Sequence, residues 1–242
     1  MTNIWFQCPH PNPDAGQRLI CFAHAGGSAS FYRSWGAGLP NVEVHAVRYP
    51  GRGERIDEPL PRDLRLLGTQ IAEALLPLAD RPLALFGHSL GAPVALETAR
   101  GLEARGVPVA HLFVSGSRNA PLPPRQPVSD DESDPAVLAA ALGGIDGTDP
   151  ELVADPFFQE LVLPYVLADS RMFHAYDNAP EPKLRCPVTS IFGDVDGDAD
   201  RRPWPELTSG RFEEHVLPGD HFYLSARPPF ELIERSLPAV RT

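Results

Sequence analysis

A serine set between two glycines, a histidine near the C-terminus and a run of aspartates between them are the residues of this chain best suited to covalent catalysis. Gly87-His88-Ser89-Leu90-Gly91 reads G-x-S-x-G. A serine hydroxyl is a weak nucleophile at neutral pH. It needs a general base within hydrogen-bond reach, and the base needs a carboxylate to orient it. On composition alone the five-residue pattern arises about 0.1 times in a chain of this length, so the pattern without its context decides little. The context is an apolar run, PLALF (82–86), before the motif and a helix-forming stretch after it. That places Ser89 on a sharp strand-to-helix turn, with its hydroxyl above the carboxyl edge of a sheet. The glycines leave room for the neighbouring backbone, and the helix N-terminus favours developing negative charge.

Where this turn carries a nucleophile, an acid and then a histidine follow it in chain order. Of the eight histidines, only His215 and His221 lie near the C-terminus. His215 falls inside the strand-like RFEEHVLP, whereas His221 follows LPGD in a loop, where a mobile base belongs. The acid is expected in the loop after the strand PVTSIFG, and GDVDGDAD offers Asp194, Asp196, Asp198 and Asp200 without distinguishing among them. The alternation of aspartates resembles a calcium loop, but the glutamate at the twelfth position and the flanking helices are missing, so no metal is expected. The oxyanion needs two backbone donors: the N–H of Leu90, and one from the loop His24-Ala25-Gly26-Gly27 after the first core strand, with Ala25 as the candidate. His24 and His88 are read as structural.

The elements that must hold these residues alternate. Residues 19–23, 42–47, 82–87 and 109–116 read as strands. Residues 63–78 carry Leu64, Leu67, Ile71, Ala74, Leu75 and Leu78 at helical spacing, and 90–104 read as a second helix. This alternation predicts a mostly parallel sheet flanked by helices, the α/β-hydrolase fold. The pattern breaks at 118. A stretch rich in proline and acid (118–135) leads into helical periodicity over 136–178, with no convincing strand. Residues 118–180 are therefore expected to form a helical insertion lying over the sheet of a core made of 1–117 and 181–242. Strands at 187–193 and 211–219 and a helix at 229–240 complete the core.

The chain has 242 residues, enough for one large domain. Its net charge of −11 argues against non-specific binding to nucleic acid or an anionic membrane. Cys8, Cys21 and Cys186 are too few and too scattered for a disulfide framework, and Cys21 and Cys186 are expected in the core. The N-terminal residues lack the features of a signal peptide and no apolar run reaches membrane length, so a cytoplasmic monomer is expected.

Four blocks, FAHAGGSASFYRSW (22–35), VRYPGRGER (47–55), LFGHSLGA (85–92) and LPGDHFYL (217–224), together resemble the type II thioesterases. These are stand-alone α/β-hydrolases that accompany polyketide synthases and non-ribosomal peptide synthetases. The blocks are also similar to the medium-chain thioesterase of animal fatty acid synthase. The resemblance spans nearly the whole chain, and YPGRGER is its most specific piece. It implies hydrolysis of acyl thioesters carried on the phosphopantetheine arm of an acyl or peptidyl carrier protein, to clear stalled or misprimed units, with no cofactor. It implies Ser89 as nucleophile, His221 as base, and the insertion at 118–180 as a mobile helical lid over an acyl channel. It places the acid in a G-x-x-D turn about 25 residues before the histidine, which is Asp196, with Asp194 in reserve. Asp220 stands where the family usually has glycine. An acidic carrier would need a basic docking patch, for which Arg33, Arg48, Arg52 and Arg55 are candidates, although solvated arginines beside a turn are the simpler reading.

Overall fold

The computed structural model describes residues 4–122, 155–177 and 179–237. Its centre is a seven-stranded sheet built from β1 (Phe6–Gln7), β2 (Gln17–Phe22), β3 (Val42–Val47), β4 (Leu83–His88), β5 (Val109–Ser115), β7 (Val188–Gly193) and β9 (Phe212–Leu217), in the order β1-β3-β2-β4-β5-β7-β9. All neighbours pair in parallel except β1, which runs antiparallel to β3 at one edge. A separate parallel pair joins β6 (Ser117–Asn119) to β8 (Asp200–Arg202). The helices are α1 (Trp35–Gly38), α2 (Leu64–Leu75), α3 (Gly91–Ala104), α4 (Pro156–Leu161), α5 (Leu163–Ala175), α6 (Trp204–Leu207), α7 (Tyr223–Ala226) and α8 (Phe230–Ser236).

Residues of β2, β3 and β4 are buried on both faces, as expected of strands covered by helices on either side. Arg18, Glu43 and His45 within them are paired: Arg18 Nε donates to Glu43 at 2.8 Å, and His45 lies 3.0 Å from the same carboxylate. The Asp63 side chain accepts from the Leu66 N–H at the start of α2, an N-cap that satisfies one free helix donor. Leu64, Leu67, Ile71 and Leu75 then form its buried stripe, as the sequence spacing predicts. α3 is buried on almost every side, and Gly68 of α2 lets it approach closely: a β-carbon there would sit 2.6 Å from Glu97 Cβ.

The strand order has one consequence for the site. From β2 the chain crosses to β3 on one side, and from β4 it proceeds to β5, β7 and β9 on the other. The crevice at the carboxyl ends of β2 and β4 is therefore a topological switch point, where open α/β sheets bind their ligands. The loop beginning at His24 leaves β2 there, and Ser89 leaves β4.

The α/β-hydrolase architecture matches the sequence expectation. Three details differ. The antiparallel strand β1 and the short α1, α6 and α7 carry too few residues for periodicity to register. β6 occupies the start of the stretch expected to hold no strand, because Ser117–Asn119 pairs with Asp200–Arg202. The apolar positions Val137, Leu138, Ala141 and Leu142 lie outside the described residues. Cys21 and Cys186 are buried as expected, and burial pushes the Cys186 thiol up to about 12, so it is not a reactive thiolate.

Candidate active site

Ser89 has φ 53, the only positive φ outside glycine among the described residues. A side chain held in that region costs on the order of 1–3 kcal/mol and persists where the surroundings fix it. Here the surroundings are tight. A β-carbon on Gly87 would lie 2.1 Å from the Gly91 carbonyl oxygen, and one on Gly91 would lie 2.2 Å from that of Phe22. The Ser89 N–H donates to the Ser115 carbonyl at 2.8 Å, tying the turn to β5. Ser89 is partly exposed while Leu90 behind it is buried.

The two other predicted residues meet beside this turn. His221 Nδ1 lies 3.1 and 3.0 Å from the two oxygens of Asp196, and both residues are buried. A carboxylate at Nδ1 favours the tautomer with its proton there, which leaves Nε2 as an acceptor. Asp196 is itself fixed: its N–H donates to the Gly193 carbonyl, and its Oδ1 accepts from the Asp198 N–H. The structure separates the four aspartates that the sequence left open. Asp194 is exposed and instead accepts from the Gly219 N–H at 2.8 Å, clasping the loop that carries His221. Asp198 is exposed, and Asp200 pairs with Arg202 at 2.5 Å. His215 stays on β9 beside Glu213.

The His221 ring centroid lies 5.1 Å from that of His88, the residue before Ser89. Gly116 admits both rings, since a β-carbon there would lie 2.9 Å from His221 Cε1 and 3.0 Å from His88 Cε1. His88 Nδ1 shares a hydrogen bond with Ser115 Oγ, which in turn bonds the Tyr223 hydroxyl at 2.7 Å. His24 packs edge-on against Phe31, Phe222 and His88. Burial holds His24 down at about 4, with His221 and Arg52 adding to it. Burial likewise holds His88 well below its ordinary range, with His221 and His24 adding to it. Both rings are therefore neutral walls near pH 7, in keeping with the structural reading.

The loop after β2 faces the turn. The hydroxyls of Tyr32 and Tyr49 donate to the carbonyls of Phe22 and Ala23, fixing the end of the strand. Among the described residues neither the Ala25 nor the Leu90 N–H enters a turn, loop or cap hydrogen bond. Arg52 and Arg55 correct the sequence reading, which had them solvated or docking a partner. Both are buried. Arg55 pairs with Glu58 and lies over Trp5, while Arg52 forms a two-pronged pair with Asp169 of α5 at 2.5 and 2.7 Å. Sequence reasoning missed Asp169. Its signal was a carboxylate at helical spacing on the buried stripe Leu163, Val166, Asp169 and Met172.

One grouping among the described residues has metal-ligand types, Cys8, Glu43 and His45. Its carboxylate already carries Arg18 and His45, so a cation there would compete with a guanidinium.

A family model described as thioesterase domain matches residues 17–237. "Thioesterase PikA5" of Streptomyces venezuelae is 39% identical over 93% of this chain and 81% of its own length. The medium-chain S-acyl fatty acid synthase thioesterase of Rattus norvegicus is 36% identical over 90% of this chain and 85% of its own. Among solved structures, the type II thioesterase BorB from the borrelidin biosynthetic cluster superposes with a TM-score of 0.83 at 37% identity, covering 97% of this chain and 98% of that one.

Proposed function

This chain belongs to the thioesterase family, and on that premise we propose that it hydrolyses acyl thioesters from the phosphopantetheine arm of an acyl or peptidyl carrier protein, clearing stalled or misprimed units in polyketide or non-ribosomal peptide assembly. The observation that carries the chemistry is the buried Asp196–His221 pair beside the positive-φ turn of Ser89.

His221 Nε2 takes the proton of Ser89 Oγ as the oxygen attacks the thioester carbonyl. The N–H groups of Ala25 and Leu90 hold the resulting oxyanion. The C–S bond breaks, the pantetheine sulfur takes the proton from His221, and an acyl-Ser89 ester remains. Water, giving its proton to His221, then attacks the ester. Collapse returns that proton to Ser89 and releases the free acid. Asp196 keeps His221 in the working tautomer and stabilises its cation. Ser89, His221 and Asp196 do this with no metal or soluble cofactor in the scheme.

The helical segment containing α4 and α5 is assigned as part of a lid over the acyl channel. For the partner, a cleft of about 310 Å³ lies beside the Ser28–Ala29 turn and is lined in part by Arg33, Arg48 and Glu54. Arg33 is exposed and Arg48 partly so, and they supply the cationic edge that an acidic carrier requires. The site of action is assigned to the cytoplasm. Among the described residues no helix is long and apolar enough to cross a membrane. The similarity to the medium-chain fatty acid synthase thioesterase supports a second reading, in which medium-chain fatty acyl groups are the preferred cargo.

The test compares acyl-carrier thioesters with matched oxygen esters, using wild type and Ser89→Ala. Thioester turnover that disappears in Ser89→Ala is expected. Turnover confined to oxygen esters would replace the thioesterase reading with a simple esterase.

A further inference from the structure

A carboxylate on the buried face of a helix is costly unless its charge and lone pairs are met. Asp169 meets both requirements in one place. Arg52 Nη2 donates to its Oδ1 at 2.5 Å and Nη1 to its Oδ2 at 2.7 Å, and the same Oδ2 accepts the Gly26 N–H at 2.9 Å. Arg52 Nη1 also donates to the Gly27 carbonyl at 3.1 Å. Its guanidinium is flanked by the Tyr49 and Tyr165 rings, at 5.1 and 5.0 Å. From α5, Val166 closes over the same turn: a β-carbon on Gly26, whose φ is 73, would lie 2.5 Å from Val166 Cγ2. The Gly27 N–H donates back to the His24 carbonyl at 2.9 Å, completing the turn. That carbonyl belongs to the peptide that carries the Ala25 N–H.

We infer that Asp169 and Arg52 are positioning residues for acyl transfer, setting the Gly26 turn so that the Ala25 N–H points at the oxyanion, and doing so only while α5 is seated. The inference rests on the proposed role of Ala25 as an oxyanion donor. A buried ion pair is a poor device for stability, since an apolar pair of similar volume often holds a fold as well. This pair, however, spends two of its hydrogen bonds on consecutive residues of the loop, one on an N–H and one on a carbonyl. These anchor two later peptides of the turn, Ala25–Gly26 and Gly27–Ser28, and together with the Gly27-to-His24 bond they restrict how the His24–Ala25 peptide can rotate; a pre-set donor direction is what an oxyanion site requires. A helix lifted from its seat removes the acceptor from Gly26 and so removes half of the oxyanion site.

The test uses Arg52→Met/Asp169→Leu, which removes both charges without stranding either, and Asp169→Asn, which keeps one acceptor. The readouts are steady-state kinetics on an acyl-carrier thioester, affinity for an alkyl boronic acid, and the thermal unfolding midpoint. The boronic acid adds to the nucleophilic serine as a tetrahedral oxyanion mimic. For the double variant we expect kcat to fall about 100-fold with KM within threefold, and boronate affinity to fall at least tenfold in a folded protein. Asp169→Asn should lose about tenfold in kcat. A folded double variant with kcat within threefold of wild type overturns the inference, as does a loss of kcat with boronate affinity unchanged. If the double variant does not fold, Asp169→Asn decides, and unchanged kcat and boronate affinity there overturn it. A wild type that turns over no thioester defeats the functional reading instead, and the boronate series still judges the positioning claim.

Discussion

Asp196 and Asp169 are both buried carboxylates that meet a cationic or ionisable partner far away in sequence, yet they are built differently. Asp196 sits in a turn at the end of β7, on the core sheet, and faces a loop only 25 residues later. Asp169 sits on α5 and reaches an arginine 117 residues earlier, on the far side of the crevice. The first pair is held between the ends of the neighbouring strands β7 and β9. The second joins the loop after β3 to α5, whose Met172 lies in the core cluster. On the inference above, one side of the site is set by the sheet and the other by the seating of α5. Enzymes that cover their substrates commonly divide rigid chemistry from conditional assembly in this way.

The largest effects are expected on the sheet side. Ser89→Ala should lower thioester turnover by about 10⁴-fold or more, with unfolding unchanged, because no other group replaces the nucleophile. Asp196→Asn should cost about 10³-fold through the wrong His221 tautomer, while Asp194→Asn should stay within tenfold, since Asp194 only clasps Gly219. Steady-state kinetics of the two variants side by side check this, and equal losses would mean that the acid has been misplaced.

The same contrast decides what was legible beforehand. Ser89 and Leu90 stand in a local motif whose glycines are dictated by contacts at 2.1 and 2.2 Å, so short-range sequence carries them. The strands β2 to β5 were readable because each is a short, largely apolar stretch bounded by polar or turn residues. Among the four aspartates, periodicity was silent and the family resemblance pointed to Asp196. That is the carboxylate the β7 turn buries, with Asp196 folding back on Gly193 and Asp198. Arg52 and Arg55 misled because arginines beside a Pro-Gly turn look solvated. Their burial depends on Asp169 and Trp5, brought in by tertiary packing, and on Glu58 one turn along from Arg55. β1 and β6 were invisible for a simpler reason: two or three residues show no period.

Acid should weaken the fold through the rings that line the crevice and sheet. His24 and His111 are held at about 4 and His88 well below its ordinary range, all mainly by burial. The unfolded chain takes up these protons near pH 6.5 and the folded chain does not, so stability is full above about 6.5 and falls as pH drops toward 4. Urea unfolding at pH 7.5 and pH 5 should differ by about 1–2 kcal/mol for each such ring. His24→Gln and His111→Gln should each flatten part of that slope, and a slope unchanged in both would contradict the neutral-wall account.

The smallest effect is expected outside the crevice. Arg33→Glu should raise KM for a carrier-bound thioester about three- to tenfold, more at low salt, and leave a pantetheine thioester without carrier unchanged. An equal change for both substrates would place Arg33 in the acyl site and not on a docking edge.

The central claim is that Ser89 is the nucleophile of a site completed by His221 and Asp196. An alkyl fluorophosphonate tests it most directly, because it phosphonylates an activated serine and mimics the oxyanion. The account predicts one adduct per chain, mapped to the peptide carrying Ser89, with thioester turnover falling in proportion to labelling and labelling slowed in Asp196→Asn. Full labelling with turnover intact, or an adduct on another residue, would contradict it.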